Sequence, residues 1–372
     1  MEYCHFPKRL TVLLEPTAAC NLRCKHCYHA KTSYVHNKMS MDVLDKFLFA
    51  CMPHYKAIRI IWHGGEPLLM GLDFFESAYN LINQYANKFD VKIEFGLQTN
   101  GTLLNEKNID FFKNTNTHIS LSYDGPFNDI LRQRTSDVEQ AIYLLKKKEV
   151  KFSCLSTINS ASVEQLIETY NFFKDLNVPI KFNPIFPDGA AKENSLFIMS
   201  SSQWAEEFCK LFINWFYDKD CNIEVSSCCD ILKKYLGLFK NGCVNGTCMF
   251  RFVAIDANGN LYPCGRLVDQ NYLLADVFSI DDIRQIFISP NYLKILERNE
   301  QRIAKCKDCK WFSQCHAGCN ASASLAGDVS KPFDFECYFT KYMFNNIENL
   351  LNNYDDRLIN KYARKILKSS CE

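Results

Sequence analysis

Short apolar runs alternate with amphipathic stretches along the first half of the chain. Strands are predicted at 10–15, 57–62, 91–97, 118–122, 152–158 and 180–183. Helices are predicted between them at 41–51 (with Ser40 as N-cap), 73–87, 106–113, 138–148 and 163–176. This alternation predicts an α/β fold with a parallel sheet and right-handed crossovers. Because a closed eight-fold barrel typically needs about 250 residues, six units indicate a partial, open (β/α)6 barrel.

Polar or glycine-rich residues follow each predicted strand. After the first two strands the chain carries Cys20, Cys24, Cys27, Gly64, Gly65 and Glu66. Barrel active sites form where the carboxyl ends of the strands meet. The pattern therefore predicts an active site at the barrel mouth.

From about residue 222 the alternation gives way to short strands, turns and closely spaced cysteines. We predict a barrel over 1–222, a small cysteine-rich domain over 223–340 and a helical tail over 341–372. Continuous apolar runs are few in the second region, so we expect bound metal to stabilise it.

Composition narrows the class of protein. The chain has 372 residues, 47% of them hydrophobic, and a net charge of +1. Neither a nucleic acid nor an anionic membrane is an expected partner at that charge balance. No apolar run approaches the ~20 residues of a membrane span, and the first residues lack a signal-peptide pattern. We therefore expect a cytoplasmic protein whose nineteen cysteines stay reduced and hold metal or do chemistry.

The three cysteines after the first strand form the first candidate metal site. Three thiolates on one loop can hold three irons of a [4Fe–4S] cluster and leave the fourth iron open to a small ligand. The alternative is a zinc site completed by His26 or His29.

A second group of cysteines follows residue 242. Its members are Cys243, Cys248, Cys264, Cys306, Cys309, Cys315, Cys319 and Cys337. Eight thiolates suffice for two closed [4Fe–4S] clusters, but two four-cysteine zinc sites would need the same number. The count alone does not choose the metal.

The Cys-x3-Cys-x2-Cys loop followed by Gly-Gly-Glu resembles the radical S-adenosylmethionine (radical SAM) superfamily. The resemblance implies a cluster that cleaves SAM to a 5′-deoxyadenosyl radical, which abstracts a substrate hydrogen. By the same resemblance the SAM contacts are Gly64, Gly65, Glu66, Ser122, Arg134 and Asn159. A guanidinium such as that of Arg134 suits the carboxylate of SAM because it can donate two parallel hydrogen bonds.

The later cysteines resemble the SPASM extension of that superfamily, which carries two auxiliary clusters. The resemblance implies three [4Fe–4S] clusters in all and an electron donor of the flavodoxin or ferredoxin type. It gives an interleaved ligand order: Cys243, Cys248, Cys264 and Cys319 hold the nearer auxiliary cluster, and Cys306, Cys309, Cys315 and Cys337 the farther one.

The resemblance also indicates a peptide or protein substrate. Several segments are similar to anaerobic sulfatase maturases, which oxidise Cys or Ser to formylglycine. However, Gly265 stands where those enzymes carry an aspartate base, and His63 where they carry glutamine. We therefore expect oxidation of a ribosomally made precursor peptide, foremost a crosslink. Formylglycine formation comes second, and peptide epimerisation or a small-molecule radical dehydrogenase are further alternatives.

Direct participants in the reaction are harder to identify from sequence. The adjacent Cys228 and Cys229 could return a hydrogen atom to a substrate radical, although buried cysteines are usually packing residues. Should formylglycine be the product, Asp269 and Asp188 are the first candidates for the base. Residues expected to line the pocket are Tyr28, His29, His63 and Tyr123.

Overall fold

The computed structural model of the chain describes residues 6–31, 37–238 and 248–352. The strands in these ranges are β1 Arg9–Leu14, β2 Ala57–Trp62, β3 Lys92–Thr99, β4 His118–Ser122, β5 Phe152–Ile158, β6 Ile180–Pro184, β7 Phe252–Ile255, β8 Asn260–Tyr262 and β9 Ala275–Asp276. The α-helices are α1 Met41–Cys51, α2 Leu72–Phe89, α3 Glu106–Asn114, α4 Asn128–Leu131, α5 Thr135–Lys147, α6 Leu166–Asp175, α7 Ser201–Tyr217, α8 Ser226–Tyr235, α9 Pro290–Cys306, α10 Phe312–Cys315, α11 Asn320–Leu325 and α12 Asp334–Asn352.

The first six strands form the predicted parallel sheet. They lie side by side in chain order, β6-β5-β4-β3-β2-β1, and each neighbouring pair is parallel. The predicted bounds of β2, β4 and β5 coincide with the observed ones, and α1 begins where predicted, because the Ser40 hydroxyl accepts a hydrogen bond from the Val43 amide at 3.3 Å. The partial-barrel prediction is confirmed.

Alternation along the strands separates a helix-covered face from an inner face. In β1, Leu10, Val12 and Leu14 are buried, whereas Thr11 and Leu13 are only half-buried. Successive side chains of a strand point to opposite sides, so the first set packs under the helices and the second lines the barrel interior. This interior face leads directly to the mouth.

The chain after residue 250 does not form a separate sheet. Strand β7 pairs in parallel with β1, and β8 and β9 continue the same sheet in antiparallel fashion. Helix α12 begins at Asp334 and packs against α7, so it starts earlier than the predicted tail at 341. The remainder of that tail, 353–372, lies outside the described residues. Within the described ranges, no helix combines the length and apolarity needed to span a bilayer.

Candidate active site

The loop carrying the first three cysteines lies directly after β1. The Leu22 amide donates to Cys20 Sγ at 3.4 Å and the Cys27 amide to the Cys24 carbonyl at 3.2 Å. Burial raises the pKa of Cys24 to about 11, and the negative charges that Cys27 and Cys20 carry when ionised also raise it. Thiols of this kind ionise when a metal replaces their protons.

The distances between cysteine sulfurs bear on the two kinds of metal site, zinc and iron–sulfur, that the sequence left as alternatives. Among the described residues, no three cysteine sulfurs lie within 4.8 Å of one another. Sulfurs bound to one zinc ion at 2.3 Å stand about 3.8 Å apart. Thiolates of an iron–sulfur cube bind different irons and are more widely spaced. The arrangement fits clusters better than single zinc ions.

The Gly64-Gly65 turn packs backbone to backbone on the segment leading to Cys20. Gly65 donates to the Thr17 carbonyl at 3.0 Å. A Cβ on Gly65 would stand 2.1 Å from the Ala19 carbonyl oxygen, and Gly64 has a φ of +104° that favours glycine. Only glycines allow this approach, which holds the turn against the segment that leads to the cysteine loop.

Glu66 fastens the turn to the neighbouring strand end. It is fully buried, and its carboxylate accepts hydrogen bonds from Thr99 Oγ1 at 2.8 Å and the Asn100 amide at 2.8 Å. Burial raises its pKa to about 7. Asn100 in turn donates to Asn21 Oδ1 at 2.9 Å, so Glu66 couples the ends of β2 and β3 to the cysteine loop.

The remaining predicted SAM contacts lie at other strand ends. Ser122 ends β4 and accepts a hydrogen bond from Gln98 at 2.9 Å. Asn159 is 2% exposed and its side chain accepts from the Ala161 amide at 2.9 Å, so it shapes the turn after β5. Arg134 precedes α5, pairs with Asp137 at 2.5 Å and is 46% exposed at its side chain.

A different arginine lies beside the cysteine loop, and sequence reasoning missed it. Arg132 is buried and pairs with the buried Asp124 at 2.9 Å. Its positive charge lowers the pKa of Cys24, opposing the effect of burial. Asp124 also accepts from the Thr157 amide at 2.7 Å, which fixes the arginine between the ends of β4 and β5. Arg132 and Arg134 are two residues apart, and nothing in the sequence indicated which of them would lie beside the cysteine loop.

Two histidines and a glutamate converge at the mouth. The side-chain ligand atoms of Glu15, His29 and His63 all lie within 4.8 Å of one another, with His29 Nδ1 3.9 Å from Glu15 Oε2. Burial and repulsion from Asp256 raise the pKa of Glu15 to about 8. Burial lowers the pKa of His63 to about 4, and its Nε2 faces the Tyr28 hydroxyl at 3.5 Å.

Glu15 was not predicted, although a signal for it existed. Leu14 and Trp62 are register partners in β1 and β2, so Glu15 and His63, the next residues, emerge side by side. Glu15 also lies against Gly265. A Cβ on that glycine would stand 3.2 Å from Glu15 Oε1 and 2.9 Å from Leu13 Cδ1, so the glutamate and leucine occupy the space of a longer side chain there.

The cysteines assigned to the farther auxiliary cluster lie near one another. Cys306 has Cys309, Cys315 and Cys337 as electrostatic neighbours, and each raises its pKa. Cys337 likewise senses Cys309 and Cys315. The structure thus brings together the four residues that the resemblance groups.

For the nearer set, three of four cysteines are described, because Cys243 lies outside the described residues. Cys264 has Cys319 as an electrostatic neighbour. The buried guanidinium of Arg302 interacts with Cys319, Cys248 and Cys306. Arg302 therefore lies between members of the two sets. The sequence did not predict this role, because the largely polar sequence of α9 is typical of a solvent-exposed helix.

The predicted reaction residues are dispersed. Cys228 and Cys229 are buried on α8, which begins beside the first half of β6, where Ser227 accepts from the Phe182 amide. Asp269 is exposed and caps a short turn through the Asn271 amide at 2.8 Å. Asp188 is buried and binds the Gly189 amide at 2.9 Å.

Tyr123 was wrongly placed in the pocket. It is 1% exposed and packs edge-on against Phe172 and Phe173, while its hydroxyl donates to Glu139 at 3.0 Å. It follows β4, but its ring is buried in the layer between sheet and helices. Tyr28, His29 and His63, by contrast, stack near one another at the mouth.

Comparison with known families agrees with this geometry. Residues 14–185 match the radical SAM superfamily, and residues 243–310 match SPASM, an iron–sulfur cluster-binding domain. The two matched segments contain the cysteine loop with its Gly-Gly-Glu turn and most of the later cysteines, respectively.

Similarity to individual proteins extends over nearly the whole chain. The chain is 26% identical to a serine-type anaerobic sulfatase-maturating enzyme of Bacteroides thetaiotaomicron, over 97% of this chain and 95% of that protein. It is 26% identical to a cysteine-type enzyme of Clostridium perfringens, over 92% and 99%. A solved structure of native anSMEcpe with bound AdoMet and a Kp18Cys peptide has a TM-score of 0.79 and 26% identity, covering 93% of this chain and all of that one.

Proposed function

The chain is a radical SAM enzyme with a SPASM domain, homologous to the anaerobic sulfatase-maturating enzymes, and from this we propose that it oxidises a side chain of a peptide or protein substrate. The observation that carries the proposal is one mouth bordered by two kinds of cysteine set. One set has three thiols on the loop after β1. The other includes Cys264, next to Gly265, which lies against the Glu15 carboxyl at that mouth.

The residues present fit a cluster and SAM. Cys20, Cys24 and Cys27 would hold a cluster with one open iron, and the amino-acid end of SAM would lie at the Gly64-Gly65 turn, which packs against the segment leading to Cys20. Together with the reduced cluster, bound SAM supplies the radical that removes a hydrogen atom. Glu66 positions this turn through its hydrogen bonds to the β3 end. Ser122, Arg134 and Asn159 complete the proposed contacts.

A two-electron oxidation removes a hydrogen atom, a proton and an electron from the substrate. A closed cluster held by Cys243, Cys248, Cys264 and Cys319 would accept that electron, and among these ligands Cys264 precedes Gly265, which lies against the Glu15 carboxyl at the mouth. The farther set, Cys306, Cys309, Cys315 and Cys337, would continue the route by which that electron leaves, and a flavodoxin- or ferredoxin-type donor would supply the electron that SAM cleavage consumes. The chain itself contributes a site surrounded by buried side chains, in which these steps would take place.

We favour a crosslink or related oxidation within a precursor peptide over formylglycine formation. Glycine at 265 supplies no carboxylate, and the Glu15 carboxyl beside it holds its proton at pH 7, because burial raises its pKa to about 8. Formylglycine remains the second candidate, because the similarity to sulfatase maturases spans 97% of the chain. The two products differ chemically: a thioether crosslink keeps the sulfur of cysteine, whereas formylglycine replaces it with an aldehyde oxygen.

The deciding experiment incubates the reconstituted enzyme with SAM, a reductant and two peptides. One is a cysteine-containing precursor encoded beside the gene, and the other is a sulfatase-type peptide. We expect the precursor to lose two hydrogens, with one 5′-deoxyadenosine per event, and the sulfatase peptide to give no hydrazide-reactive aldehyde. Aldehyde formation at full rate would establish the second candidate instead.

A matched variant tests the cluster assignment. Replacing Cys20, Cys24 and Cys27 with alanine should abolish 5′-deoxyadenosine formation and remove about four of about twelve irons. The variant Cys51→Ala is the control, since that thiol is fully buried in α1 away from the mouth. Continued SAM cleavage by the triple variant would contradict the assignment.

A further inference from the structure

The cluster of Glu15, His29 and His63 has no role in the reaction proposed above. Each residue comes from a different segment of the mouth: the end of β1, the turn that follows the cysteine loop, and the end of β2. Their ligand atoms lie within 4.8 Å of one another. Two imidazoles and a carboxylate form a donor set that binds Zn²⁺ or Fe²⁺ while leaving coordination positions open.

Unused lone pairs point to a missing ligand. Glu15 is 7% exposed, yet its Oε1 has no hydrogen-bond partner, and neither has His63 Nδ1. Buried polar atoms are almost always paired, because an unpaired one loses its interaction with water without replacement. The two atoms belong to residues whose ligand atoms lie within 4.8 Å of one another, and a single ligand that accepts both lone pairs would explain them.

Charge leads to the same conclusion. Among the described residues, no lysine or arginine lies within salt-bridge distance of Glu15, and its basic neighbour is His29, whose Nδ1 lies 3.9 Å from Glu15 Oε2. A neutral imidazole can coordinate a metal without first losing a proton. A divalent cation could therefore bind the Glu15 carboxyl, with loss of the proton of that carboxyl, without displacing a lysine or an arginine.

Tyr28 has the position of an outer-shell partner. Its hydroxyl faces His63 Nε2 at 3.5 Å, so Nδ1 is the nitrogen free to coordinate. Metal-bound histidines usually engage their second ring nitrogen in this way, which fixes the tautomer and the ring orientation.

We propose that Glu15, His29 and His63 form a divalent transition-metal site at the barrel mouth, with an open position facing the interior. If the proposed peptide oxidation holds, that position would bind a heteroatom of the substrate, a cysteine thiolate foremost, at the side of the mouth where Gly265 provides no carboxylate. The metal site itself requires no substrate and can be tested independently.

The test uses the cluster-reconstituted protein and Zn²⁺, because the iron of the clusters would mask added Fe²⁺. After excess zinc is removed, we expect one bound zinc per chain with cluster iron unchanged. Zinc-edge X-ray absorption should give nitrogen and oxygen neighbours at about 2.0–2.2 Å and no sulfur. A sulfur-only shell would mean that zinc occupies cysteines and would overturn the proposal, as would the absence of stoichiometric zinc.

Variants locate the ion. Glu15→Gln and His63→Gln should each weaken zinc binding by more than the roughly 10–100-fold typical of losing an outer-shell partner, and Tyr28→Phe by an amount within that range. His54→Gln is the control, since His54 also faces a carboxylate, Asp282 at 3.2 Å, but at the opposite end of β2. Equal zinc binding by all four variants would overturn the assignment.

Adding peptide separates the site from the function. A cysteine-containing precursor should add one zinc–sulfur neighbour at about 2.3 Å, and its serine counterpart none. Zinc binding without any peptide oxidation would refute the proposed function but leave the site. Peptide oxidation by a protein that binds no zinc would refute the site alone.

Discussion

Helices α2 and α9 show how differently the barrel and the cysteine-rich region, residues 290–337, are stabilised. They are nearly equal in length, with 18 and 17 residues. Helix α2 buries Phe75, Ala78, Tyr79, Ile82 and Ala86 against the sheet, whereas α9 buries Tyr292, Ile295 and the charged Arg302. The barrel helix buries only apolar and aromatic side chains, whereas α9 also buries a charged one, so we expect the cysteine-rich region to depend more on polar contacts and on groups that its thiols bind.

Around a few large apolar side chains, Tyr292, Ile295 and Trp311, much of the interior of the cysteine-rich region consists of small and polar groups. Helix α11 buries two alanines together with Asn320 and Ser322, and α10 contributes no buried residue. Arg302 is fully buried and donates to the carbonyls of Ala317 at 2.9 Å and Val329 at 2.6 Å. Such an interior gains little from the hydrophobic effect, so cluster binding and folding should be coupled there.

The largest effect should follow removal of iron. Stripping the clusters should speed amide hydrogen exchange in α9 and α11 by roughly a hundredfold or more, because metal ligation supplies much of the stability of this region. Exchange in α2 should change little, since apolar packing protects it. Hydrogen exchange read by mass spectrometry makes the comparison within one sample, and equal acceleration of α2 and α9 would remove the distinction between the two regions.

A single substitution at Arg302 tests whether polar contacts stabilise the cysteine-rich region in the way that apolar packing stabilises the barrel. Arg302→Met should destabilise the cysteine-rich region by about 3 kcal/mol or more, because it strands several buried carbonyl acceptors. It should also release iron, since the guanidinium faces Cys248, Cys306 and Cys319. Iron content and denaturant titration check both effects. Arg298→Met, an exposed change on the same helix, should retain full iron.

The barrel and its mouth were more predictable than the cysteine-rich region. Strand and helix patterns are local, so the bounds of β2, β4 and β5 could be predicted from periodicity alone. The pairing of β7 with β1 could not, because it joins residues far apart in the chain. Arg302 was invisible for the same reason: the carbonyls that bury it come from the later segment containing Ala317 and Val329.

The mouth itself was predicted only in part. Cysteine spacing indicated the cluster loop, and the position after a strand indicated His63. The side-chain directions of Tyr123 and Glu15 depend on details that composition does not carry. Tyr123 points away from the interior, whereas Glu15 points into it because the strand alternation of β1 continues one residue past its last paired position.

A smaller effect, confined to the barrel, is expected from Gly65→Ala. The added methyl would stand 2.1 Å from the Ala19 carbonyl oxygen, so the cysteine loop must shift away from the turn. SAM affinity should fall at least tenfold, or about 1.4 kcal/mol, while the auxiliary clusters stay in place. Equilibrium dialysis of SAM measures it. Gly96→Ala is the control, because its added methyl would meet Ile61 at 3.5 Å and the His118 carbonyl oxygen at 3.9 Å, both ordinary contact distances.

The smallest effect concerns Glu15. It shows how much ionisation of this buried carboxyl at the barrel mouth lowers the unfolding free energy. Its pKa is raised to about 8 from 4.5, so the folded state keeps a proton that the unfolded chain releases. The stabilisation from this proton is complete below pH 4.5 and is lost as pH rises through about 8. The unfolding free energy of the zinc-free protein with its clusters in place should therefore fall as pH rises. Glu15→Gln should make this fall less steep by up to about 1.4 kcal/mol per pH unit. Urea titrations at pH 6 and 7 measure this change of unfolding free energy with pH. Identical changes in the wild type and the Glu15→Gln variant would show that the carboxyl already has a cationic partner. Bound zinc should abolish the difference between the two proteins, because it favours the ionised carboxylate.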